Sequence, residues 1–127
     1  MEKAKRKDLT GRTSEKTLEL LESIDNQIQM KTHLGRLLDE RNMTQSELAR
    51  VTGIGNNMIS AFVANREGVK IGYAHIYALM IALRLTDISE LLYIDMPDEI
   101  VGRFAKESAD WKATKTAPSE IRMKMDI

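Results

Sequence analysis

The sequence predicts an all-α fold, with five helices packed as a compact domain over residues 32–94. Three observations predict it. Apolar residues recur at helical spacing through most of the chain. Two stretches, Thr44-Gln-Ser-Glu47 and Asp87-Ile-Ser-Glu90, carry the residue pattern of a helix start. Between residues 14 and 94 no segment alternates apolar and polar residues as a strand does.

Residues 1–12, "MEKAKRKDLTGR", read as a basic arm with five Lys/Arg against two Asp/Glu. From Ser14 to Met30 the pattern is helical, with Leu18, Leu21, Ile24 and Ile28 on one face and Glu15, Glu19, Glu22 and Asp25 elsewhere. This segment has one basic residue against four acidic ones. A second helix is expected near His33–Arg41, through Leu34, Leu37 and Leu38.

Thr44 opens the next helix. Its hydroxyl can accept from the Glu47 N–H while the Glu47 side chain reaches back, a capping box. Gly53 ends that helix, as a residue with positive φ would. Another helix is expected from Asn56 to Asn65, then a loop, "NREGVKIG". Tyr73 to Arg84 is apolar nearly all round and should be the central helix. The Asp87 cap should open a short helix, "ISELLYI". After Pro97, an amphipathic helix is expected from Asp98 to Ala113, using Ile100, Val101, Phe104 and Trp111. The end, "IRMKMDI", alternates with period two but has no strand to pair with, so a flexible tail is expected. The chain thus divides into arm (1–12), amphipathic helix (13–31), central domain (32–94) and a helical and flexible tail (95–127).

"TQSELARVTGIGNNMISAFVANREG" concentrates the sharp features. Leu48, Ala49, Ile54, Ile59 and Phe62 should face inward. Ala49 is small where two helices approach, Gly53 makes the turn, and Ile54 plugs the space beneath it. Ile59 and Phe62 anchor the second helix. Two short helices fixed in this way form a helix-turn-helix, whose second helix is presented to the major groove. Leu48, Ile54, Ile59, Phe62, Ile76, Leu79, Leu83 and Leu91 should share one core.

The region His33–Ile94 resembles the Cro/repressor-type (XRE-like) helix-turn-helix domains of phage and bacterial regulators. "LGRLLDERNMTQSELARVTGIGNNMIS" is similar to the first three helices of that family, and "IYALMIALRLTDISELL" to the last two. The resemblance implies a five-helix, lambda-repressor-like domain that binds double-stranded DNA as a homodimer on a two-fold operator. It places Gln45 at the start of the second helix, where a glutamine touches phosphate and supports the base-reading side chain. It places Asn56 and Asn57 where amides meet base edges; an amide can bond both N6 and N7 of adenine. Ser60 and Ala61 face the same way, toward a thymine methyl or a phosphate. Asn65, Arg66 and Lys70 lie in the following loop, a usual place for phosphate contacts. Lys3, Lys5, Arg6 and Lys7 would follow the DNA as an arm and gain from counterion release. Three positions depart from the family: Ala64 and Glu67 replace asparagines, and Thr52 replaces an apolar residue. The bland readings are solvated helix-start amides for Asn56 and Asn57, a cap-supporting surface amide for Gln45, and a solvated tail for Lys3–Lys7.

The composition excludes other classes. There is no cysteine and there are only two histidines, which argues against disulfides, thiol chemistry and a zinc site. No carboxylate pair, Ser/His/Asp set or cofactor loop is present, so an enzyme is rejected and no cofactor or metal is expected. Gly53-Ile54-Gly55 lacks the pattern of a phosphate loop. The longest apolar run, Ile76 to Leu83, spans eight residues, far below the roughly 20 that cross a bilayer. A cytoplasmic protein is expected. Net charge is zero, so DNA binding must rest on local features. The competing expectation is a protein-interaction module of phage origin, an antirepressor or an inhibitor of a host protein. It would keep the helix-turn-helix core and use residues 14–30 or 98–127 for its partner.

Overall fold

The computed structural model describes residues 13–125. They form two compact units that divide between Asp95 and Met96. The fold is mostly helical, with one small two-stranded sheet that the all-α expectation did not contain.

In the first unit, α1 spans Glu15–Glu22, capped by Ser14, whose hydroxyl accepts from the Thr17 N–H. The helix expected to reach Met30 stops eight residues short, because Asp25 and Asn26 both take positive φ, 56° and 59°. Asp and Asn tolerate that region better than other non-glycine residues. The reversal delivers the chain into β1, Gln29–Thr32. Leu18 and Ile24 are buried, but neither joins the main core cluster.

Next come α2 (Leu34–Glu40), α3 (Gln45–Thr52), α4 (Asn56–Ala64) and α5 (Tyr73–Leu83). The Asp87 capping box is present, but it opens only a 3-10 turn, Ile88–Glu90. The chain then enters β2, Leu92–Asp95, not the expected helix. β2 pairs with β1 antiparallel, Thr32 opposite Leu92 and Gln29 opposite Asp95. The run of four apolar residues splits into a buried and an exposed pair. Leu91 and Leu92 enter the core at 0% and 7% exposure, while Tyr93 and Ile94 remain outside. On one face of the ribbon Met30 lies opposite Ile94, and both are exposed. On the other face Lys31 Nζ meets Asp95 Oδ2 at 2.9 Å, and Tyr93 stacks on His33 at 4.5 Å.

The core joins Leu48, Ile54, Ile59, Phe62, Ile76, Leu79, Leu83 and Leu91, as expected, with Leu34, Leu37, Leu38, Ala49, Leu85 and Leu92. α5 is not buried all round. Ile76, Leu79 and Leu83 face inward, but Tyr73, Tyr77 and Ile81 form an outer row at 79%, 61% and 64% exposure.

In the second unit, α6 spans Asp98–Thr114, one residue past the expected end. Asp98 and Glu99 in its first turn complement the helix dipole. Arg103–Glu107 and Lys106–Asp110 form i,i+4 ion pairs along it. The terminal segment is a helix, α7 (Ser119–Met125), where a flexible tail was expected. Its first turn is built on Pro118, whose carbonyl accepts from the Ile121 and Arg122 amides, and Arg122 Nε donates to the Ala117 carbonyl.

Candidate nucleic-acid interface

α3 begins on a complete capping box. The Glu47 N–H donates to Thr44 Oγ1 at 3.1 Å, and the Thr44 N–H donates to Glu47 Oε1 at 2.9 Å. The Thr44 backbone N–H first, and then its hydroxyl, hold the Glu47 carboxyl below its ordinary value of 4.5. Gln45 stands directly after the cap, exposed.

The turn after α3 is a single left-handed residue, Gly53 at φ 76°, whose N–H donates to the Ala49 carbonyl at 2.9 Å. A side chain at that φ would be strained. Ile54 sinks beneath the turn at 6% exposure. Thr52 shows why a hydroxyl suits this position. Its Oγ1 donates to the Leu48 carbonyl at 2.8 Å and accepts from the Ile54 N–H at 3.2 Å.

α4 follows, with Gly55 as its N-cap. Ile59 and Phe62, at 0% and 2% exposure, turn one side of it into the core. At about 100° per residue, Asn57 and Ala64 then lie on the opposite side, with Ser60 beside them and Asn56 at its edge. Asn56, Asn57 and Ala64 are exposed and Ser60 is partly exposed. Four polar or small side chains therefore present a narrow row with no carboxylate in it. Gln45 and Asn57 are not hydrogen-bonded to each other among the described residues, so bracing of one amide by the other is not built into the free protein.

Two expected contact residues are placed differently. Ala61 is only 7% exposed, so its methyl has almost no surface to offer a base. It lies about 200° round the helix from Ile59, next to Asn57. Asn65 closes α4 in a left-handed conformation, φ 53°. Its amide is engaged within the protein: Oδ1 accepts from the Thr32 N–H at 2.7 Å, and Nδ2 donates to the Thr32 carbonyl at 3.2 Å. Sequence reasoning took it for a loop amide free to meet a phosphate. Thr32 lies 33 residues earlier, so no local pattern announces the pair.

Arg66 and Lys70 are exposed, as phosphate contacts require, and Val69 and Ile71 pack against the core to hold their loop down. Glu67, in the same loop, is exposed too. Tyr73 follows at the start of α5, 79% exposed and stacked on Tyr77 at 6.4 Å. The apolar reading of α5 hid this pair, and the i,i+4 spacing of two tyrosines was its only signal. The arm residues Lys3, Lys5, Arg6 and Lys7 lie outside the described residues.

A family model for the Cro/C1-type HTH DNA-binding domain matches residues 33–97. The chain belongs to that family. The matched stretch of this Cro/C1-type domain runs from the residue before α2 to the residue before α6, and includes β2 and the whole of α3, turn and α4. Comparison with curated proteins and with solved structures finds no significant match. Among the described residues no three His, Asp or Glu side chains are grouped to hold a metal ion, and no helix is long and apolar enough to cross a membrane.

Proposed function

We propose that this Cro/C1-type protein is a sequence-specific transcriptional regulator of the phage or mobile-element repressor type. It binds a two-fold operator as a homodimer and acts by occlusion. The observation that carries the reading is the exposed Asn56 and Asn57, with the partly exposed Ser60 beside them, on a helix that Ile59 and Phe62 lock into the core. Gln45, at the start of α3, and Arg66 and Lys70, in the loop after α4, supply the flanking contacts. Amides read base edges, and the cations hold the backbone. The arm, Lys3–Lys7, adds affinity without sequence preference. Dimerisation uses the exposed Met30 and Ile94 pair on one face of the ribbon, since Leu91 and Leu92 are taken by the core.

Selection of bound sequences from random DNA, followed by a salt titration on the enriched duplex, tests the reading. A sequence-selective complex that weakens steeply with salt supports it. No selective complex at low salt would sink it. Sedimentation tests the dimer: a monomer at high micromolar concentration, with and without operator, would remove that part.

A second reading, a protein-interaction module of phage origin, is favoured by one observation. Tyr73, Tyr77 and Ile81 form an exposed apolar row on α5, away from the Asn56–Asn57 row in sequence. Its expected result is no selective DNA complex, together with binding of a protein partner that Tyr77→Ser weakens.

A further inference from the structure

The Asn65–Thr32 contact brings together three elements. Thr32 ends β1 and is 9% exposed. The His33 N–H donates across the ribbon to the Leu91 carbonyl at 2.8 Å. By the alternation of an antiparallel ladder, the Thr32 N–H and carbonyl therefore point away from β2. Both are met by the Asn65 amide, at 2.7 and 3.2 Å, as a neighbouring strand would meet them. The Thr32 hydroxyl adds two bonds, donating to the Phe62 carbonyl in the last turn of α4 at 2.8 Å and accepting from the Leu34 N–H at 3.2 Å. The C-terminal end of α4 is thus tied by directional bonds to β1 and to the start of α2.

We propose that Asn65 is a positioning residue for DNA recognition: clasped on Thr32, it fixes the far end of α4 and so sets where Asn56, Asn57 and Ser60 stand. This deepens the DNA-reading proposal and rests on it. Ile59 and Phe62 hold α4 down, but apolar contact is non-directional and does not by itself stop a helix from tilting or turning. A tilt of about 5° at one end of a nine-residue helix moves the other end by about 1 Å. That displacement breaks a two-bond amide contact with a base edge, because such bonds weaken steeply with length and angle. The turn at Gly53 holds one end of α4, and the Asn65 clasp holds the other.

The test is Asn65→Gly in the full chain, since glycine accepts φ 53° while removing the amide. Affinities are measured for the selected duplex and for a scrambled one, across a salt series. The ratio of the two is independent of the fraction of protein folded, so a merely structural loss leaves it unchanged. The expected result is a fall in that ratio of about tenfold, the worth of one base contact, with the salt slope of non-specific binding unaltered. Asn65→Asp keeps the acceptor for the Thr32 N–H and loses the donor to its carbonyl. With a carboxylate oxygen set against that carbonyl in place of Nδ2, it should lower the ratio as well, and it carries the test should the glycine variant fail to fold. An unchanged ratio would overturn the proposal. So would a parallel fall in both affinities with a shallower salt slope, which would make Asn65 a phosphate contact. A wild type without selectivity would sink the DNA-reading proposal and this one with it; a selective wild type with an unaltered variant ratio would sink this one alone.

Discussion

Thr52 Oγ1 accepts the Ile54 N–H at 3.2 Å while donating to the Leu48 carbonyl at 2.8 Å, so one hydroxyl spans the turn between α3 and α4. The Ile54 side chain is buried beneath the turn, and without Thr52 its amide would lose its partner. Thr52→Val should therefore destabilise the protein by about 1 kcal/mol, the net worth of one such bond. Thr52→Ser should keep most of it. Urea denaturation of the three proteins checks this; a valine variant as stable as the wild type would remove the turn bond from the account.

Phe62 tests the core. At 2% exposure it lies among Ile59, Ile76 and Leu79, and its ring approaches His75 at 6.3 Å between centroids. Phe62→Ala should cost about 3–5 kcal/mol, the range for a large aromatic deleted from a packed interior. Thermal and denaturant unfolding measure it. A loss below about 1 kcal/mol would mean that the site collapses freely and that α4 is held by something else.

Asn57 and Gln45 test the interface. Both are exposed, so Asn57→Ala and Gln45→Ala should leave unfolding unchanged. Each should cost about 1–3 kcal/mol of specific binding and leave non-specific binding nearly intact. Deleting residues 1–7 should act oppositely, weakening binding to most sequences and flattening the salt dependence. Equal operator affinity for the wild type and a Gln45/Asn56/Asn57 triple-alanine variant would refute the assignment.

Acid should loosen the caps. Glu47 is held below its ordinary 4.5 by the Thr44 N–H, Asp87 below 3.8 by the Ser89 N–H, and Glu90 below 4.5 by the Asp87 and Thr86 amides. Their folded values lie under their unfolded ones. The contribution is then present above the unfolded value and is lost as pH falls through the folded one. The wild type should melt higher than Glu47→Gln at neutral pH, and the gap should close as pH falls below the carboxyl's ordinary 4.5 and through its lower folded value. A gap that persists or widens in acid would contradict the cap's charge dependence.

Much of the central domain was legible because its determinants are local. Thr44 and Glu47 are three residues apart, and their reciprocal bonds need nothing beyond the first turn of α3. Gly53 declares its own φ. Leu48 and Ala49 on α3, and Ile59 and Phe62 on α4, mark the inner faces of two short helices with Ile54 in the turn between them, and all five enter the core. Glycine conformation, side-chain capping and helical periodicity are properties of a few neighbouring residues, so sequence by itself determined them.

What tertiary structure decided is what depends on residues far apart. Each strand of the ribbon is four residues long, too short for alternation to show, and each exists only because the other lies beside it. The Asp87 cap is sound, yet its helix stops after three residues. Pairing with β1 and burial of both Leu91 and Leu92 hold the following chain extended. Asn65 is an ordinary loop amide until β1 brings Thr32 beside it, and Ala61 belongs to the recognition row until the folded domain covers its methyl. A backbone hydrogen bond between strands, or an amide closing on a distant strand edge, is stabilised only after the rest of the chain has brought both partners together. Local pattern carries no record of that.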